Sequence, residues 1–111
     1  MQVDKYMRGT VTVIALNGEL DSHTAPEVQR SLDDLVPGDG TVVLDLSRMS
    51  YMSSAGLRVL LLVYRQARQD KVGLVLSCVP EDVLAMMSAT GFLSFFTVTD
   101  TVDEGLEALA V

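Results

Sequence analysis

The run Val42-Val-Leu-Asp-Leu-Ser-Arg-Met-Ser-Tyr-Met-Ser-Ser-Ala-Gly-Leu-Arg-Val-Leu-Leu-Leu-Val-Tyr64 decides how this chain folds. It opens on a β-rich segment, Val42 to Leu46, with apolar residues on both faces, the pattern of a strand buried on both sides. Ser47 to Ser50 form a polar turn, and Tyr51 and Met52 are expected to dip back towards the core. Then come Ser53-Ser54 and a strongly apolar helix, with Leu57, Leu60, Leu61 and Tyr64 at i, i+3, i+4, i+7. Two serines therefore stand where a buried strand passes into a helix. A hydroxyl there can cap the helix, accepting a bond from an otherwise unpaired amide. It can also carry a phosphoryl group, because amides and the positive end of the helix dipole converge at that point.

Outward from this stretch, Val3–Met7 and Thr10–Leu16 read as strands joined by a short glycine-containing turn, a β-hairpin. Asn17-Gly18 is expected to end the second strand. Ser22 or Thr24 then caps a helix with Pro26 in its first turn, burying Val28, Leu32 and Leu35 and stopped by Pro37-Gly-Asp-Gly40. Beyond the central helix, Val72–Val79 is a strand and Pro80-Glu81 opens a third helix ended by Gly91. Phe95–Val98 is a last strand, and Asp100 or Thr101 caps a final helix through Ala110 with Val102, Leu106 and Leu109 as its apolar stripe. The order ββαβαβαβα makes an α/β fold, a mixed sheet entered by the hairpin and continued through right-handed parallel crossovers.

The 111 residues suffice for one domain, 1–111, and for a core that needs no metal or disulfide. A net charge of −7 argues against nucleic acid, whose binding needs clustered Lys and Arg. No apolar run approaches the ~18 residues of a membrane span, and Met1-Gln-Val-Asp-Lys5 lacks the layout of a signal peptide. With the single cysteine Cys78, the expectation is a cytoplasmic protein not inserted in a membrane. His23 and Cys78 lie on different elements, so no metal cluster, phosphate loop or other cofactor is expected. Ser54-Ala-Gly56 matches half of a hydrolase nucleophile elbow. Met52 stands where that motif needs glycine, and no base and orienting acid accompany the serine, so an enzyme is not expected.

The run Asp45-Leu-Ser-x-x-x-Tyr-Met-Ser-Ser-Ala-Gly-Leu-Arg-Val-Leu-Leu61 closely resembles the signature of bacterial anti-sigma factor antagonists, single STAS domains with helices largely on one face of the sheet. Gly18-Glu-Leu-Asp21, Gly91-Phe-Leu93, Phe95-Phe-Thr-Val98 and Glu104-Gly-Leu-Glu-Ala-Leu109 extend the resemblance over nearly the whole chain. It implies a partner-switching protein. The unphosphorylated form binds an anti-sigma factor that is also a serine kinase of the GHKL ATPase type, and so frees a sigma factor. Phosphorylation at the start of the central helix blocks binding, and a serine phosphatase reverses it. The family's usual pattern is Asp-Ser-Ser/Thr-Gly-Leu with the phosphate just before glycine. Here that position is Ala55, and the usual Asp is Ser53. The resemblance therefore moves the acceptor to Ser54 as first choice and Ser53 as second, Ser54 being expected to lie nearer the helix amides. Asp21, Ser53, Ser54, Ala55, Gly56, Arg58 and Leu62 form the expected partner surface. Val59, Leu62 and Val63 add a second apolar arc, with Arg58 and Arg65 as its rim, whose ordinary alternative is a pair of solvated arginines. A competing reading of the same motif is a scaffold subunit of a membrane transporter complex that is never phosphorylated.

Overall fold

The computed structural model describes every residue except Pro37, Asp39, Ala110 and Val111. The expected Pro37–Gly40 stop and the Ala110 end of the last helix thus fall partly outside the described residues. Strands β1 (Gln2–Arg8) and β2 (Val11–Leu20) form the antiparallel hairpin, turning at Gly9, whose φ of +61° suits glycine. Helix α1 (Ala25–Leu35) follows, then β3 (Thr41–Asp45) and a short β4 (Met49–Met52). Helix α2 (Ser54–Gln69), β5 (Gly73–Ser77), α3 (Glu81–Ala89), a single 3₁₀ turn (Leu93–Phe95), β6 (Thr97–Thr99) and α4 (Val102–Leu109) complete the chain. The sheet runs β1-β2-β3-β5-β6, parallel from β2 onward, and β4 pairs separately with the far end of β2.

Strand β3 is central, and Val42, Val43 and Leu44 are fully buried, as their two-sided apolarity requires. Alternation along the strands sends Val13, Val43 and Val75 to one face, where Val102, Leu106 and Leu109 of α4 cover them. The opposite face, including Ile14, Val42, Leu44 and Leu76, packs against Val28 and Leu32 of α1, Leu57 and Leu60 of α2, and Val83 and Met87 of α3. Three helices thus share one face and α4 alone takes the other.

Four local expectations need correction. The expected order ββαβαβαβα has no strand between β3 and the central helix, but Met49–Met52 form β4, so Met49 and Ser50 belong to a strand and not to the polar turn. Asn17-Gly18 does not end β2. The register shifts at Gly18, whose φ is +118°, and the strand continues to Leu20 so that β4 can pair with it. Tyr51 does not enter the core. In the alternating β4 it is Met49 and Met52 that are buried, and Tyr51 is half exposed. The last strand begins two residues later than expected, because Phe95 closes the 3₁₀ turn and remains at the surface.

Candidate functional site: the amino end of α2

The start of α2 is pinned to the end of β2. The Ser53 amide donates to the Leu20 carbonyl at 2.9 Å, and the Ser53 carbonyl accepts from Leu57 at 3.0 Å. Ser53 is extended (φ −92°, ψ 178°) and is the N-cap, its hydroxyl accepting a long 3.4 Å bond from the Gly56 amide. The expectation that Ser54 lies nearer the free amides is therefore reversed, since Ser53 does the capping. Ser54 begins the helix and is exposed, and its hydroxyl has no hydrogen bond among the described residues.

Gly56 explains why this helix can start so close to the sheet. A Cβ there would lie 2.5 Å from the Leu20 carbonyl oxygen, 2.8 Å from Leu20 Cγ and 2.9 Å from Met52 Cγ. Nothing larger fits. Ala55 is half-buried beside it, so of Ser54, Ala55 and Gly56 only Ser54 is exposed.

Asp21 follows Leu20 directly, so its loop starts beside the serines. Its carboxylate accepts from the Thr24 amide at 3.0 Å and the His23 amide at 2.9 Å. The bond from the Thr24 backbone, followed by those from His23 and the Thr24 hydroxyl, holds this carboxyl below the usual carboxylate range. Asp21 thus orders the loop that opens α1. Thr24, at the N-cap position, uses its hydroxyl differently, donating to the Glu19 carbonyl at 2.8 Å. Asp45 makes a similar local turn, accepting from Ser47 N at 3.0 Å as the chain leaves β3. Burial first, then the Asp45 charge, pushes the half-buried Cys78 thiol up from its ordinary value. His23 is exposed.

Electrostatically the amino end of α2 stands apart. Helices α1, α3 and α4 each carry at least one carboxylate in the first turn, namely Glu27, Glu81 with Asp82, and Asp103 with Glu104. Helix α2 carries none there, and from Ser54 to Gln69 it holds three arginines and no acid. In a chain of net charge −7, this is where positive potential is left uncompensated.

Farther along α2 the expected second apolar arc proves mostly core. Val59 and Val63 are each only 4% exposed and belong to the main core, on a helix that packs against α1, whereas Leu62 is 39% exposed. Leu62 lies with Arg58 and Arg65 in a groove of about 380 Å³ whose far wall is Phe92 and Phe95. Residues 92 and 95 follow α3 in sequence, and the helical spacing of α2 alone gave no sign that they would face it.

Among the described residues no helix is long and apolar enough to cross a membrane, and no cluster of His, Cys, Asp and Glu side chains is placed to hold a metal. The STAS domain family model matches residues 2–105. BtrV of Bordetella bronchiseptica, provisionally named an anti-sigma factor antagonist, is 41% identical over 80% of this chain and 78% of its own length. An anti-sigma-B factor antagonist of Listeria monocytogenes is 30% identical over 82% of this chain and 81% of its own. In structure the chain matches the Bacillus anti-sigma factor antagonist SpoIIAA. The TM-score is 0.75 to its unphosphorylated form (20% identity, 96% of this chain and 95% of that one) and 0.70 to its phosphorylated form (19% identity, 98% and 100%). A strand order built around a buried β3, a helix started against β2 by Gly56, and relatives that span most of the chain agree. The chain belongs to the STAS-domain family of anti-sigma factor antagonists.

Proposed function

We propose that this protein is the antagonist of a partner-switching system in the cytoplasm. In its unphosphorylated form it binds an anti-sigma factor that is also a serine kinase of the GHKL ATPase type, and so releases that factor's target. The contact surface comprises the Asp21 loop, the amino end of α2 from Ser53 to Gly56, Arg58 and Leu62. The kinase transfers a phosphoryl group to Ser54, the complex dissociates, and a serine phosphatase restores the binding form.

One observation carries this reading. Ser54 presents an exposed, unengaged hydroxyl on the helix whose first turn lacks a carboxylate. Ala55, at the family's usual acceptor position, has no hydroxyl, and Ser53 already caps Gly56. A phosphoryl group adds roughly −1.5 to −2 charges and three acceptor oxygens. The vacant helix end tolerates that charge, so the fold persists and the effect falls on the interface. Arg58, one turn on, is in i,i+4 position to pair with the new phosphate and be withdrawn from the partner.

The test is phosphopeptide mapping after incubation with the cognate kinase and ATP, alongside binding measurements. Phosphate is expected on Ser54, and Ser54→Ala should bind the kinase normally and resist modification. Ser54→Asp is expected to fold and to bind at least about tenfold more weakly, a loss of about 1.4 kcal/mol. Phosphate on Ser53 alone moves the site by one residue. No phosphate on either serine overturns the switch in favour of an unmodified scaffold in a transporter complex.

A further inference from the structure

We propose that the groove between α2 and the Phe92–Phe95 turn docks an acidic segment of a protein partner, which inserts one large apolar side chain between Leu62 and Phe95. Leu62 and Phe95 are 39% and 48% exposed, large apolar side chains left at the surface on opposite walls of one concavity of about 380 Å³. The walls are braced by aromatic contacts. Phe95 stacks on Tyr64 with ring centroids 5.8 Å apart, and Phe92 lies 5.8 Å from Phe95 on its other side. The Arg68 guanidinium donates to the Tyr64 hydroxyl at 3.0 Å, holding the ring that supports Phe95. Preordered aromatic walls around a dewettable slot are what an interface anchor residue needs.

Charge selects the occupant. Arg58 and Arg65 line the groove, Arg68 stands one turn beyond Tyr64, and α2 contains no carboxylate to pair with them along its length. The cationic rim attracts a segment rich in Asp and Glu, whereas the net charge of −7 on each chain opposes the approach of a second copy. A peptide with an apolar anchor flanked by carboxylates meets both requirements. Leu62 lies eight residues beyond Ser54, roughly 12 Å along the helix axis at about 1.5 Å per residue. The groove shares Arg58 and Leu62 with the contact surface proposed above and extends it to Arg65, Phe92 and Phe95, so the inference deepens that reading while not requiring phosphorylation of Ser54.

The experiment selects a random peptide library against the intact protein, counter-selecting on the Phe95→Ser variant, and then titrates the leading synthetic peptide by NMR. Recovered sequences are expected to place Asp or Glu around a Phe, Trp, Leu or Ile, and the peptide should shift the Leu62 and Phe95 signals. Arg65→Glu should weaken binding at least about tenfold. Raising salt to about 1 M, where the Debye length is only about 3 Å, should weaken it several-fold. The selection uses no kinase and no ATP, so its outcome does not depend on whether Ser54 is phosphorylated, and failure here is distinguishable from failure of the switch. Should Phe95→Ser lose its cooperative melting, Leu62→Gln replaces it as the counter-selecting variant. The proposal is overturned by recovery of no binder, by basic or uncharged peptides, or by binding that ignores the groove variants. Leu62-dependent self-association in sedimentation also overturns it, since the occupant would then be a second copy.

Discussion

Helices α2 and α4 begin in nearly the same way and end up electrically opposite. Each has a hydroxyl at its amino end that accepts from an amide of the first turn, Ser53 from Gly56 at 3.4 Å and Thr101 from Glu104 at 3.0 Å. Each carries a buried glycine near its start that lets the helix approach the sheet, Gly56 against Leu20 and Gly105 against Ser77. Helix α4 then fills its first turn with Asp103 and Glu104. The Glu104 carboxylate reaches back to the Asp100 amide at 3.3 Å, and Asp103 pairs with Arg8 at 2.9 Å. Helix α2 leaves the equivalent place empty. The same backbone solution thus gives one end stabilised for structure and one end left able to accept an anion.

The glycines give the largest test of this likeness. Gly56→Ala must displace a backbone carbonyl and two core side chains, and is expected to cost about 2–3 kcal/mol, read as a lower denaturant midpoint with unchanged slope. Gly105→Ala meets the Ser77 hydroxyl at 2.5 Å, a group that can rotate only by giving up its 2.7 Å bond to Thr99. Its cost should be smaller, about 1–2 kcal/mol, since a side chain yields where a backbone does not. Equal costs would show that the start of α2 is less tightly built than Leu20 and Met52 imply.

The caps come next. Thr101→Ala should cost about 1 kcal/mol, and Ser53→Ala less, because its bond is longer. The sign of the charge effects then sharpens the contrast. Ser54→Asp is expected to raise stability by roughly 0.3–1 kcal/mol, while Asp103→Asn lowers it by a similar amount, both in low-salt thermal melts. A destabilising Ser54→Asp breaks the comparison.

Smaller still, Leu62→Glu should move the thermal midpoint almost not at all, within about 0.5 kcal/mol, while weakening partner binding. Collapse of the fold would make Leu62 a core residue. The Asp21 loop should respond only to acid. Its carboxyl titrates lower in the fold than in the unfolded chain, so its contribution is present above the ordinary value of 3.8 and fades as pH falls through the lowered native value. Faster amide exchange at His23 and Thr24 in that range is the readout, and loss of protection near neutral pH would contradict it.

Apart from β4, the order of elements, the buried centre of the sheet and the serine-bearing helix start were legible because each rests on local periodicity and capping chemistry. Most of the missed features depend on pieces distant in sequence. The continuation of β2 past Gly18 makes sense only once β4 arrives beside it, and β4 in turn sends Tyr51 outward. Periodicity places Val59 and Val63 on the outer arc of α2, yet both are buried in the core. Which serine caps is decided by a single amide-to-hydroxyl contact. The aromatic wall of the groove comes from a turn following another helix.

The central position of β3 has a consequence for the chain while it is being made. One neighbour, β2, precedes β3 in sequence, but the other, β5, is synthesised only after all of α2. Until Gly73–Ser77 emerges, the Val42–Leu44 segment presents an unpaired, apolar edge, the kind that templates association between incomplete chains. The nascent protein is therefore most exposed to aggregation in the interval when the α2 segment has been made and β5 has not.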